Sequence, residues 1–475
     1  TGGVVNVWDY TAGESPILGQ SAGSANADYA RFGLTYEGNA FAMTGGTLNV
    51  KDATGSGLIF VNSDPGNISV TGGTVNAYST VSGSSVISSK APFWNLNIYN
   101  SSANTTAKIA VDSLTNGPGG SNNRKITDSD LVVYNDLKIK TSTTRTSGSN
   151  TYGGFLDLCP LNNCSNLEVG GDLYIEDSGV LDVWAWDGSD NDGSATVTMN
   201  GDENSLLYVG DITTYTNALV EFEYPDTGPW PSGFGSGDET YGIYTLPFYN
   251  WVIDKNDAVL FLSAKSPGKG DGSPGSNASL YKTSSGGKNL SRYAVRLVVV
   301  TNEFQLLSGT LNQNDPLSSL TLTEGDGTAF GTVGDPVGYG IYLLGTITNK
   351  GQCFVYEDGT TRKEGTVNIR ADNDVTINST EGAGFGNLEI NNAGFEIALT
   401  SDISVGRLQY ASGVIDIGTN NLKVDVFEFL DLSSSGFIPE VGGQGVYSTT
   451  DYILMAGNAS DGGLSVKLPR SLTLY

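Results

Sequence analysis

One short phrase recurs along this chain: Thr-Gly-Gly, followed by an apolar–Asn–apolar triplet. It reads Thr1-Gly2-Gly3-Val4-Val5-Asn6-Val7, then Thr44-Gly45-Gly46-Thr47-Leu48-Asn49-Val50, then Thr71-Gly72-Gly73-Thr74-Val75-Asn76-Ala77. A trimmed copy is Gly365-Thr366-Val367-Asn368-Ile369. A turn signal joined to one short alternating strand cannot bury a core alone, so it must stack on copies of itself. The phrase predicts a pile of similar layers, and an elongated scaffold before any chemistry.

The triplets share one rule. In Leu48-Asn49-Val50, Leu96-Asn97-Ile98, Leu137-Lys138-Ile139, Leu181-Asp182-Val183 and Leu388-Glu389-Ile390, two apolar side chains flank one polar residue. Strand side chains alternate, so the flanking pair faces inward and the polar residue outward. Larger phrases repeat in order. Phe93-Trp94-Asn95-Leu96 has a counterpart in Phe385-Gly386-Asn387-Leu388, and Asp136-Leu137-Lys138-Ile139 in Asp172-Leu173-Tyr174-Ile175 and Asp402-Ile403-Ser404-Val405. A Ser-Gly phrase closes the set at Ser178-Gly179 and Ser412-Gly413, with a degraded copy of the pattern around Phe248–Ile253 and Ser308-Gly309. Three passes through one pattern emerge, near 1–200, 201–360 and 361–475. Spacings of about 20–27 residues suit a coil turn of three short strands and three corners. The expected fold is all-β: one continuous parallel β-helix (β-solenoid) with loop insertions at 112–130, 141–151, 224–240 and 264–292. Tandem β-sandwiches are the alternative.

The phrases Phe385–Ile390, Ala398–Leu408 and Ser412–Leu422 resemble the β-solenoid repeats of giant bacterial cell-surface adhesins of the Bacteroidetes, gliding and biofilm-forming type. The resemblance is strongest over 361–425, fair over 71–183 and thin over 201–360. It implies an extracellular, filamentous, adhesive protein, and it carries over no catalytic residue.

Composition narrows the function classes. The 475 residues include 64 Gly, 51 acids, 24 bases and no His, for a formal charge of −27. A polyanion of this kind is repelled by nucleic acid. Without His there is no Ser-His-Asp triad or Cys-His dyad, and little zinc or haem chemistry. No apolar run is long enough to span a bilayer as a helix. The opening residues show neither a charged n-region nor an apolar h-region, so the chain reads as a mature or partial sequence. Three cysteines occur. Cys159 and Cys164 are spaced for a local disulfide in an oxidising compartment, and Cys353 stands alone.

The first candidate site is Trp184-Ala185-Trp186-Asp187-Gly188-Ser189-Asp190-Asn191-Asp192-Gly193. If Leu181, Val183 and Ala185 face inward, Trp184 and Trp186 face outward beside Asp187, Asp190 and Asp192. Three carboxylates on a Gly-bearing loop are hard oxygen ligands suited to Ca2+, while outward indoles suit a sugar ring. An Asx-rich turn with covered indoles is the structural alternative. A basic insertion carries Lys265, Lys269, Lys282, Lys288 and Arg292, and Trp230 sits in the rigid loop Pro225–Pro231. The expected function is an extracellular structural and adhesive segment of a filamentous surface protein, presenting loops for surface or glycan contact. Its expected partners are surface polysaccharide or other cell-surface proteins, with self-association or a longer parent chain, and no nucleic acid or membrane span. No cofactor is required, and Ca2+ is the candidate ion. The chain is not expected to be an enzyme; the alternatives are a β-helical polysaccharide lyase or hydrolase and a non-catalytic glycan-binding module.

Overall fold

The computed structural model describes residues 2–7, 32–34, 36–52, 57–79, 83–100, 107–112, 126, 130–140, 146–147, 150–151, 153–160, 164–176, 179–186, 191–210, 246–264, 295–312, 322–323, 329–330, 339–343, 345–350, 352–353, 366–369, 374–380, 384–429, 440–442, 447–455 and 472–474. Among these residues the chain is all-β, with a 3-10 turn at Pro65–Asn67 and no α-helix. The strands build large parallel sheets of β-solenoid type. Short antiparallel hairpins, such as Trp184–Trp186 with Asn191–Ser194, form small sheets of their own. No described helix is long and apolar enough to cross a membrane. The chain divides into two compact units, Thr1–Gly201 with Tyr208–Pro225, and Asp202–Leu207 with Asp226–Tyr475.

The first unit visits three faces in a fixed order on each turn. One face is Val4–Val7, 47–52, 74–79, Asn95–Asn100, Leu137–Ile139 and Leu173–Ile175, each strand parallel to the next. A second is Phe32–Leu34, Gly57–Val61, Gly83–Ser89, Ala107–Val111, Phe155–Asp157 and Val180–Asp182. The third includes 41–43, 68–70, Phe93, Leu131–Val133, Leu167–Val169 and Thr196–Asn200.

Register follows the triplets. Val5, Leu48, Val75, Leu96, Leu137 and Leu173 occupy one column. From Leu48 onward every member is buried. Each such rung contributes about 1.5–3 kcal/mol through burial, so the dry column is the main stabiliser. Val5 keeps the register but is 58% exposed, because its strand has a described partner on one side only. Successive turns span 43, 27, 21, 41 and 36 residues, read from the side-chain bonds that link equivalent positions. Insertions therefore lengthen some turns past the expected spacing without shifting the register.

The corners explain the phrases. The second glycine of Thr-Gly-Gly lies in left-handed backbone, with φ 82° at Gly46 and 100° at Gly73. A side chain there is strained, and a Cβ on Gly46 would stand 2.6 Å from the Gly3 carbonyl oxygen one turn away. The Asp of Asp-Leu-x-Ile is a cap. Asn95 Oδ1 accepts the Asp136 amide at 3.2 Å, and Asp136 Oδ1 accepts the Asp172 amide at 3.1 Å. Asp130, Asn166 and Thr196 repeat this at another corner, and Asp402 Oδ1 accepts the Asn421 amide at 2.7 Å in the second unit. Corner N–H groups that the ladder leaves without a strand partner are thus satisfied from one turn to the next.

The second unit follows the same grammar with longer strands. Leu246–Ala264 pairs in parallel with Val295–Asn312, and Gly384–Leu399 with Ile403–Asp416, which pairs onward with Leu422–Phe429. Phe248 and Trp251 are both fully buried, as Phe93 and Leu96 are at the same phrase in the first unit, with a register shift between Phe248 and Asn250. Two expectations need correction: Asp182 and Glu389, expected to face solvent, are 2% and 3% exposed. Alternation is retained at both, but the outer side of the sheet is covered there.

Candidate functional site

The outward side of the first face in the first unit is an ordered polar surface. Asn6, Asn49, Asn76 and Asn97 share one register column. Their amides donate up the column: Asn49 Nδ2 to Asn6 Oδ1 at 2.7 Å, Asn76 to Asn49 at 2.6 Å, and Asn97 to Asn76 at 2.7 Å. Each bond is worth about 0.5–1.5 kcal/mol net, and a chain of aligned amide dipoles strengthens its members. The column continues in register through Lys138 and Tyr174. Lys138 Nζ lies 4.6 Å above the Tyr174 ring and 3.5 Å from Asp136 Oδ2. Tyr208 packs against Tyr174 at 5.5 Å between ring centroids.

A second row runs beside the first. Tyr78 and Tyr99 stack at 4.6 Å with an interplanar angle of 11°. Lys140 and Glu176 form an ion pair one and two turns further on. In both rows ring faces are turned toward their neighbours along the stack. What reaches solvent is therefore hydroxyls, amides, ammonium groups and carboxylates at strand spacing, about 4.8 Å apart. Such a surface offers repeated hydrogen bonds to a repetitive ligand.

These tyrosines resist ionisation. Burial raises the Tyr78 and Tyr99 phenols above their ordinary value, reinforced by each ring's acidic neighbour: Tyr99 for Tyr78 and Glu176 for Tyr99. Burial raises Tyr174 as well, followed by Asp172, Asp136 and Glu176. A folded pKa above the unfolded one gives stability that is complete below about pH 10 and is lost as pH rises through the folded values. We expect the denaturant midpoint to fall above pH 10, and to fall less steeply in a Tyr78→Phe/Tyr99→Phe/Tyr174→Phe variant. Tyrosinate absorbance followed alongside unfolding checks this; equal slopes in the two proteins would contradict it.

The residues picked from sequence fall elsewhere. Trp184 and Trp186 lie on strand Trp184–Trp186, paired antiparallel with Asn191–Ser194, so that Trp184 meets Ser194 and Trp186 meets Asn191. Asp192 is on the second of these strands. The two indole positions and Asp192 are thus brought to one hairpin. Asp187, Asp190, Trp230 and the basic positions Lys265, Lys269, Lys282, Lys288 and Arg292 lie outside the described residues. Among the described residues no group of three or more acidic or Cys side chains is arranged to hold a metal. Cys159 and Cys164 are joined by a disulfide. The ladder itself escaped the sequence reading. Its signal was the shared offset in Thr74-Val75-Asn76-Ala77-Tyr78 and Asn95-Leu96-Asn97-Ile98-Tyr99, where both outward positions repeat, not only the inward ones.

Comparison with family models, with curated proteins and with solved structures returns no match for this chain.

Proposed function

We propose that this chain is a structural and adhesive segment of an extracellular, filamentous surface protein. The observation that carries the reading is where its polar side chains are spent. Asn6 to Asn97, Asn95 to Asp172, and Asp402 to Asn421 all bond from one turn to the next. These groups reinforce a stack rather than converge on a reacting point. The Cys159–Cys164 disulfide supports an oxidising, extracytoplasmic setting. The acidic surface, at −27 for the chain, suits a long solvated scaffold. Contact with glycans or neighbouring proteins falls to the ordered polar face and to hairpins such as Trp184–Trp186.

Three measurements on the purified chain test this. Negative-stain images should show thin rods, whereas separate beads would contradict the filament. Binding to immobilised surface polysaccharide should occur and should weaken in Trp184→Ala/Trp186→Ala. No new reducing ends or unsaturated sugar products should appear on incubation with acidic polysaccharides; their appearance would replace this reading with a β-helical lyase or hydrolase.

A further inference from the structure

The second face of the first unit buries charge. Asp157 ends strand Phe155–Asp157 and is fully buried; Asp182 ends the neighbouring strand Val180–Asp182, in register with it, and is 2% exposed. From the strand on the other side, Ala107–Val111, Lys108 brings Nζ to 2.6 Å from Asp157 Oδ2 and 5.5 Å from the centre of the Phe155 ring. Asp157 Oδ1 accepts the amide of Cys159, itself tied to Cys164 by the disulfide, at 2.9 Å, so the carboxyl group is pinned. Asp157 Oδ2 is buried without a hydrogen-bond donor, so the lysine nitrogen approaches it off the hydrogen-bonding directions. A buried ion pair offsets its desolvation only when hydrogen bonds complete it. This pair is close and pinned, but on Oδ2 it is incomplete.

We propose that Lys108 and Asp157 condense to an amide, a covalent cross-link between adjacent turns, with Asp182 relaying the proton. The Lys108 ammonium gives one proton to a carboxylate and becomes an amine. The amine lone pair forms the Nζ–Cγ bond at Asp157 while one Cγ–O bond breaks, and the departing oxygen leaves with two protons as water. One ammonium and one carboxylate become one neutral amide and one water, with no oxidant or reductant. Holding the two groups in contact makes the step effectively unimolecular, the condition under which such condensations gain most. Loss of both charges removes the desolvation penalty of the pair. The Lys108 side chain keeps 29% exposure, which gives the water a way out.

The test is the mass of the purified full chain, reduced, alkylated and denatured. It should be one water lighter than its sequence and its alkylated cysteines require, and proteolysis should release a branched peptide containing residues 108 and 157. Lys108→Arg and Asp157→Ala should both restore the full mass. Asp157→Asn should still condense, losing ammonia instead of water. Asp182→Asn should leave a full-mass species that converts slowly, with the faster rate recovered in Asp182→Glu. A wild-type chain of full sequence mass after prolonged folding overturns the proposal, whatever the variants do. This inference is independent of the adhesive reading: the mass reports the bond alone, and imaging and polysaccharide binding report the other.

Discussion

Trp251→Ala is expected to lower the stability of the second unit by about 3–5 kcal/mol, the usual range for removing a buried large aromatic side chain. Trp251 is fully buried between Phe248, 5.3 Å away by ring centroids, and Phe304, 5.6 Å away across the parallel pairing of Leu246–Ala264 with Val295–Asn312. Alanine would leave both rings lining a void. Trp251→Phe should cost clearly less. It keeps a ring in the stack, and it removes the indole Nε1–H, which is buried without a hydrogen-bond partner. In a solenoid, damage need not unfold the whole chain at once, because each turn contacts only its neighbours. Amide exchange is therefore the best measurement. Protection at 251–253 and 304–306 should fall sharply in the alanine variant and only slightly in the phenylalanine one. The reverse order would mean that the indole contributes something other than packing.

That aromatic cluster marks the boundary of what the sequence makes legible. Inward positions are set by one physical rule, alternation on a strand, so Leu96, Leu137 and Leu173 could be placed in one dry column from their phrases alone. Corners are nearly as readable, since few residues tolerate their backbone. Gly46 and Gly73 adopt positive φ, and Asp136 must accept an amide from the next turn. Outward positions obey no single-strand rule. Whether Asn76 is merely solvated or bonds Asn49 depends on which turn it lies against, and turns of 43, 27 and 21 residues conceal that partner. The covering of the outer side is equally hidden. Asp182 carries the same apolar–polar–apolar signature as Asn97, yet one is buried and the other half-exposed. Trp251 holds the place that Leu96 takes after Phe93, so the phrase marks it as inward, but the register shift beside it depends on the partner strand and is hidden in the same way.

Gly201→Ala is expected to be the most damaging single-methyl change in the first unit. Gly201 has φ 96°, and a Cβ there would lie 2.4 Å from the Gly170 carbonyl oxygen. Backbone strain of about 1–3 kcal/mol adds to overpacking of about 1–3 kcal/mol, for a loss of roughly 2–6 kcal/mol. The obstacle is main chain, so no rotamer change relieves it. Nor can Gly170 retreat easily, since its own Cβ position stands 2.3 Å from the Tyr134 carbonyl oxygen. Tyr134, Gly170 and Gly201 thus stack backbone on backbone at one corner. Displacing the last should loosen the two rungs of the third face beneath it, Leu131–Val133 and Leu167–Val169. Gly66→Ala is the matched control: it lies in the 3-10 turn Pro65–Asn67, and a Cβ there would have no atom within 4 Å. There the change should fall within about 0.5 kcal/mol of wild type. Denaturant midpoints and limited proteolysis of the two variants decide the matter. If Gly201→Ala unfolds where Gly66→Ala does, this corner is not held by close main-chain packing.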